Sequence, residues 1–107
     1  MKENRITKIL GIKYPIIQGP MAWLTDAKLV AAVSNAGGLG ILGPCAGQTT
    51  MTPSPQETME RMREEIRKTR ELTDKPFGVV ILVDTDMRFT EPLLDMIIEE
   101  KVNVALV

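Results

Sequence analysis

Two hydrophobic spacings alternate along this chain, and the alternation predicts its architecture. Residues 16–18, opened by Pro15, read as a short strand buried on both faces, since no polar position interrupts the isoleucine pair. Proline can open such a strand because it owes no donor to the ladder there. Beyond a loop at 19–23, Leu29 and Val33, and likewise Ala32 and Ala36, recur one helical turn apart. Thr25 is the expected N-cap, Asp26 complements the positive helix end, and Asn35-Ala36-Gly37-Gly38 is the expected stop. Residues 39–42 form a second strand, and 43–53 a loop rich in glycine, proline and polar side chains.

Ser54-Pro55-Gln56-Glu57 is the clearest helix start, with Ser54 as N-cap, proline at the first helical position and Glu57 completing a capping box. Met59, Met62, Ile66 and Thr69 follow at helical spacing, and the helix should stop near Thr73, ahead of Asp74-Lys75-Pro76. Residues 77–83 (FGVVILV) are an unbroken β-branched run and read as a third strand. A polar loop at 84–90 leads to a helix at 91–101, with Leu93/Ile97 and Leu94/Ile98 at i, i+4, and a fourth strand at 102–107. Ahead of all this, residues 1–5 read as frayed and 6–14 as a helical turn broken at Gly11.

The order is β-α-β-α-β-α-β without a hairpin signal, which argues for a parallel sheet covered by helices. Right-handed crossovers between sequential strands put those helices on one side. Such an array is the N-terminal part of a (β/α)8 TIM barrel, about four β/α units; a doubly wound sheet is the competing architecture. Eight units usually take about 250 residues, so residues 1–107 are expected to be one incomplete barrel domain. An apolar last strand leaves an edge that natural sheets avoid. Either a missing C-terminal part or a partner chain, a second copy included, is expected to cover it.

Composition narrows the function classes. A net charge of −1, with 25% charged residues, gives no electrostatic footprint for nucleic acid. No apolar run is long enough for a membrane helix, and a cytoplasmic protein is expected. One cysteine cannot build an internal disulfide framework. The chain has no histidine, the commonest general base.

Gly38-Leu39-Gly40-Ile41-Leu42-Gly43 spells GxGxxG, but the dinucleotide motif needs those glycines between a strand and a helix. Here they run from a helix into a strand, so close packing is expected. The Gly19-Pro20-Met21-Ala22-Trp23 loop carries more. In a barrel it lies at the C-terminal end of the first strand, where active sites are built. Gly19 and Ala22 let a flat ring approach the backbone, Met21 offers a soft thioether, and Trp23 a wall; an ordinary turn beside a core methionine is the plainer alternative. Gln48 and Thr49, with Thr50, could polarise a small substrate, though polar loop residues are more often solvated. Cys45 has no histidine to activate it and reads as a reduced, neutral thiol. Asp84 and Asp86 read as loop residues. The run from Glu57 to Glu71 pairs Glu57–Arg61, Glu64–Lys68 and Arg67–Glu71 at i, i+4, as a solvated helix face does.

Three segments together, PIIQGPMAW, AAVSNAGGLGILG and LTDKPFGVVILV, resemble the FMN-dependent nitronate monooxygenases, formerly called 2-nitropropane dioxygenases. A flavin-containing enoyl-[acyl-carrier-protein] reductase II belongs to the same superfamily. The resemblance implies a (β/α)8 barrel holding FMN at its C-terminal face and acting on a small-molecule substrate. It places Gly19, Pro20, Met21 and Ala22 against the isoalloxazine. The family's third strand commonly reads KPFGVNI, with the asparagine on the flavin; here Val80 stands in its place, removing a polar contact. The family's catalytic histidine and phosphate-binding glycine loops match no position up to Val107, so the 107-residue chain alone is expected to be inactive.

Overall fold

The computed structural model describes residues 2–83, 85 and 87–107. The elements run α1 (Arg5–Leu10), α2 (Ala27–Asn35), β1 (Gly40–Leu42), α3 (Pro55–Leu72), β2 (Phe77–Val80), α4 (Thr90–Glu99) and β3 (Val104–Leu106). The three strands pair in parallel in the order β1-β2-β3, with Ile41 opposite Gly78 and Gly78 opposite Val104. This is the sequential parallel array that the alternation predicts.

The strand expected at residues 16–18 shrinks to one parallel bridge between Ile17 and Leu39. Leu39 N–H donates to Ile16 O and Gln18 N–H to Leu39 O, both at 2.9 Å. The next ladder position is filled by a side chain: Ile41 N–H donates to Gln18 Oε1 at 3.1 Å. Gln18 thus continues the pairing while its backbone turns away into the 19–23 loop. The third strand is also shorter than expected. It ends at Val80, opposite Leu106, with Ile81 N–H donating to Leu106 O at 2.7 Å.

The sheet's two faces differ. Leu42, Phe77 and Val79 pack with Val30 of α2, Met62 and Ile66 of α3, and Leu93, Met96 and Ile97 of α4, so three helices cover one face. Leu39 and Ile41 point the other way, into a smaller cluster with Leu10, Ile12, Val80 and Val104. A one-sided helical layer over a sequential parallel sheet is the geometry of a barrel wall.

Within α2 the buried residues are Ala27, Val30, Ala31 and Ser34, whereas Leu29 is exposed. The stripe that packs is therefore one position off the Leu29/Val33 pair. The reason is proximity: a Cβ on Gly40 would lie 2.4 Å from Val30 O, so α2 sits against β1 closely enough that its small residues must face the strand. A Cβ on Gly43 would meet Met21 O at 2.5 Å. The GxGxxG glycines serve packing.

Both early helix ends are better formed than expected. Asn4 Oδ1 accepts from Thr7 N–H at 3.0 Å while Thr7 Oγ1 accepts from Asn4 N–H at 2.9 Å, so residues 4 and 5 are anchored rather than frayed. Gly11 closes α1 in the left-handed conformation, φ 68°. At α3, Ser54 Oγ accepts from Glu57 N–H at 3.3 Å, but the return half of the capping box is missing. Glu57 instead takes Thr52 and Arg61, each at 2.7 Å.

The charged face of α3 departs from expectation as well. Glu57–Arg61 forms, but Lys68 turns to Glu65 and Arg67 reaches across to Glu100. Arg63 and Arg70 join it there, at 2.7 and 3.3 Å, so three arginines of α3 clasp one carboxylate at the end of α4. Among the described residues no helix is long and apolar enough to cross a membrane.

Candidate functional site at the C-terminal ends of the strands

The 19–23 loop folds over the C-terminal end of β1 and is pinned by one buried side chain. Thr25 is wholly buried; its Oγ1 accepts from Met21 N–H at 2.7 Å, and its own N–H donates to Met21 O at 3.1 Å. Gly43 N–H donates to Thr25 O at 3.2 Å, and Trp23 N–H to Pro44 O at 3.0 Å. Thr25 is therefore not the helix cap. Asp26 is, its Oδ1 accepting from Leu29 N–H at 3.1 Å, which frees the threonine hydroxyl to organise the loop.

With its backbone held, the loop presents its side chains outward. Gly19, Met21, Ala22 and Trp23 are exposed and Pro20 half-buried. Trp23 and Cys45 both take left-handed backbone conformations, φ 70° and 56°. Such conformations cost on the order of 1–3 kcal/mol and persist only where surrounding bonds dictate them, as they do at binding clefts. Here the Trp23–Pro44 hydrogen bond ties the two loops together.

Gly19 differs from the other seven glycines. Each of those either has a positive φ or would drive a Cβ to within about 3 Å of its neighbours, whereas a Cβ on Gly19 meets nothing within 4 Å. Within this chain nothing packs against that side of Gly19. Open space over a bare backbone is the kind of surface a flat ring can lie against. Val80 is half-buried in the cluster on the sheet's uncovered side with Leu39 and Ile41 and offers only an apolar surface.

Gln48 and Thr49 are placed elsewhere. Arg61 donates to Gln48 Oε1 at 3.1 Å and to Thr50 O at 2.6 Å, drawing this part of the loop towards α3. Together with Arg61, Glu65 and Lys68 they line a polar cleft of about 230 Å³ that does not include residues 19–23. Gln48 Nε2 is buried there without a partner among the described residues. Asp84 and Asp86 lie outside the described residues.

Gln18, Thr25 and Glu65 organise the site although the hydrophobic pattern singles out none of them. Glu65 is buried on α3, and its Oε1 accepts from Ala27 N–H at 2.9 Å, completing the start of α2. Gly47 passes so close that a Cβ there would lie 2.3 Å from Glu65 Oε2. A carboxylate at helical spacing with Met62 and Thr69 was the available signal.

Known proteins bear on this geometry. The family model described as nitronate monooxygenase matches residues 3–105. A Rhodococcus jostii protein named (3aS,4S,5R,7aS)-5-hydroxy-7a-methyl-1-oxo-octahydro-1H-indene-4-carboxyl-CoA dehydrogenase is 40% identical over 96% of this chain and 26% of its own length. A probable nitronate monooxygenase of Staphylococcus haemolyticus is 44% identical over 82% of this chain and 22% of its own. The structure of FabK from Thermotoga maritima superposes with a TM-score of 0.78 at 40% identity, covering 98% of this chain and 30% of that one. The chain spans about a quarter of the length of these curated relatives.

Proposed function

We propose that this chain, which belongs to the nitronate monooxygenase family, supplies the wall of a TIM barrel against which FMN lies, in an enzyme that oxidises alkyl nitronates with O2. The observation that carries the flavin reading is the open space over Gly19. The family is flavin-dependent, and FMN when bound supplies the electron chemistry. The residues of this chain bind and orient. The backbone of Gly19 and Pro20 faces the ring, Met21 packs its thioether on it, and the Trp23 indole keeps water from that edge. Thr25 holds the loop still while Val80 supports the ring from the strand. With no histidine among its 107 residues, the chain contributes no imidazole for proton transfer.

A second reading, reduction of an enoyl thioester with NAD(P)H, is favoured by the FabK superposition and by the carboxyl-CoA dehydrogenase among the relatives. Steady-state assays of the complete barrel separate the two. Nitronate-dependent oxygen uptake without NADH supports the first, and NADH oxidation driven by an enoyl thioester the second. The flavin reading has its own test, quenching of Trp23 fluorescence by added FMN. Gly19→Val should weaken FMN about 5- to 150-fold, as overpacking of about 1–3 kcal/mol implies, and unchanged affinity would exclude the loop as the ring's seat.

A further inference from the structure

A cavity of about 270 Å³ opens beside the flavin loop, between the segment after β1 and the helices α3 and α4. Its walls are Met51, Met59, Met62, Phe89 and Leu93, with Leu82 and Val80 rising from the end of β2. Met51 is almost fully exposed at the rim, and Met62 and Leu93 are buried at the floor. Nothing in the proposed chemistry at residues 19–23 uses this space. Three methionines give a wall that reshapes around unbranched chains, because the thioether is unbranched, polarisable and adaptable.

Two features join the cavity to the flavin loop. Pro44 lines it and also accepts the Trp23 N–H at 3.0 Å. Val80 lines it and belongs to the cluster on the sheet's uncovered side. We infer that this cavity takes the aliphatic part of the substrate, a chain on the order of eight carbons, while the reacting end sits at the flavin loop. The length follows from volume: a water takes roughly 30 Å³ of liquid and a methylene is of similar size. The inference rests on the flavin-loop reading for the substrate's reacting end, and it assigns long-chain substrates over short nitroalkane-derived ones.

The chain's single cysteine, Cys45, lines this cavity and reports its occupancy without turnover or flavin. The experiment measures the rate of Cys45 alkylation by N-ethylmaleimide, read by mass spectrometry, against rising concentrations of n-alkanols from ethanol to decanol. The protective affinity should tighten about fourfold per methylene, the factor for burying one CH2, and stop tightening near octanol when the cavity is full. Met59→Trp, which fills the cavity, should flatten the series. In the complete barrel it should also lower the ratio of kcat/KM for eight-carbon over three-carbon substrates. A flat series in the unmodified protein, a slope undiminished through decanol, or a series unaltered by Met59→Trp would each overturn the inference. Should Met59→Trp not fold, the plateau in the unmodified protein still decides. Because FMN is absent from the alkylation assay, failure here leaves the Gly19 flavin test standing, and failure of that test leaves this one standing.

Discussion

Two alanine substitutions of the same chemistry, at Gly43 and Gly19, should move stability in opposite directions. At Gly43 the new Cβ would lie 2.5 Å from Met21 O and 3.0 Å from Met21 C, both backbone atoms. Neither can swing aside as a side-chain tip would, because Met21 is held from both sides by Thr25. The loop must shift or β1 must bend, and overpacking of this kind costs about 1–3 kcal/mol. At Gly19 the Cβ meets nothing and φ lies outside the left-handed region. There alanine only narrows the unfolded ensemble, which stabilises by about 0.4–1 kcal/mol. Urea unfolding followed by Trp23 fluorescence measures both. With a slope of about 1–3 kcal/mol per molar urea, Gly43→Ala should lower the midpoint by about 1 M, and Gly19→Ala should raise it by a few tenths. FMN affinity should fall in both, for different reasons: a displaced loop in one and an obstructed ring in the other. A Gly19→Ala protein that is destabilised by more than about 1 kcal/mol would show that the fold itself needs glycine there. The inference from open space to a bound ring would then fail.

Other expectations follow from the same contacts. Thr25→Val removes the acceptor of the part-buried Met21 amide and should cost about 0.5–1.5 kcal/mol, the net worth of one hydrogen bond; equilibrium denaturation measures it. Arg61→Ala releases Gln48, Thr50 and Glu57 together; limited proteolysis should accelerate within residues 48–52 while the unfolding midpoint scarcely moves. For Glu100, burial alone would raise the carboxyl's pKa, but the Arg63 hydrogen bond and the Arg67 and Arg63 charges outweigh it and hold it below 4.5. Its stabilisation is therefore full above the unfolded value and is lost as pH falls through the lower folded one. Glu100→Gln should flatten the pH dependence of stability below about pH 4.5, and an unchanged acid slope would assign that dependence to other carboxylates.

The sequence made the layers legible and the cross-links illegible, for a physical reason. Ser54-Pro55 and the β-branched run from Phe77 announce α3 and β2 because caps and strand propensity act within a few residues. The α2 stripe is expected on Leu29/Val33 and Ala32/Ala36, whereas Ala27, Val30, Ala31 and Ser34 are buried; close approach to Gly40 decides, and that contact is tertiary. Glu100's three arginines lie 30 to 37 positions away, beyond any local pattern. At the site, the bare Gly19 backbone could be suspected from its place after a strand. That Thr25 holds the loop while Asp26 caps the helix could not, since both residue types cap helices well.

The Glu65 carboxylate on the Ala27 amide has a consequence for the order of assembly. The two residues are 38 positions apart, and a ribosome adding about 5–20 residues per second needs about 2–8 s to cover that distance. Until α3 has emerged, the first turn of α2 lacks one of its acceptors and Gly47 has nothing to pack against. The opening strand-loop-helix unit is thus not a module that sets before the next arrives. The start of α2 is finished only when α3 closes behind it, so each arriving element can complete the one before.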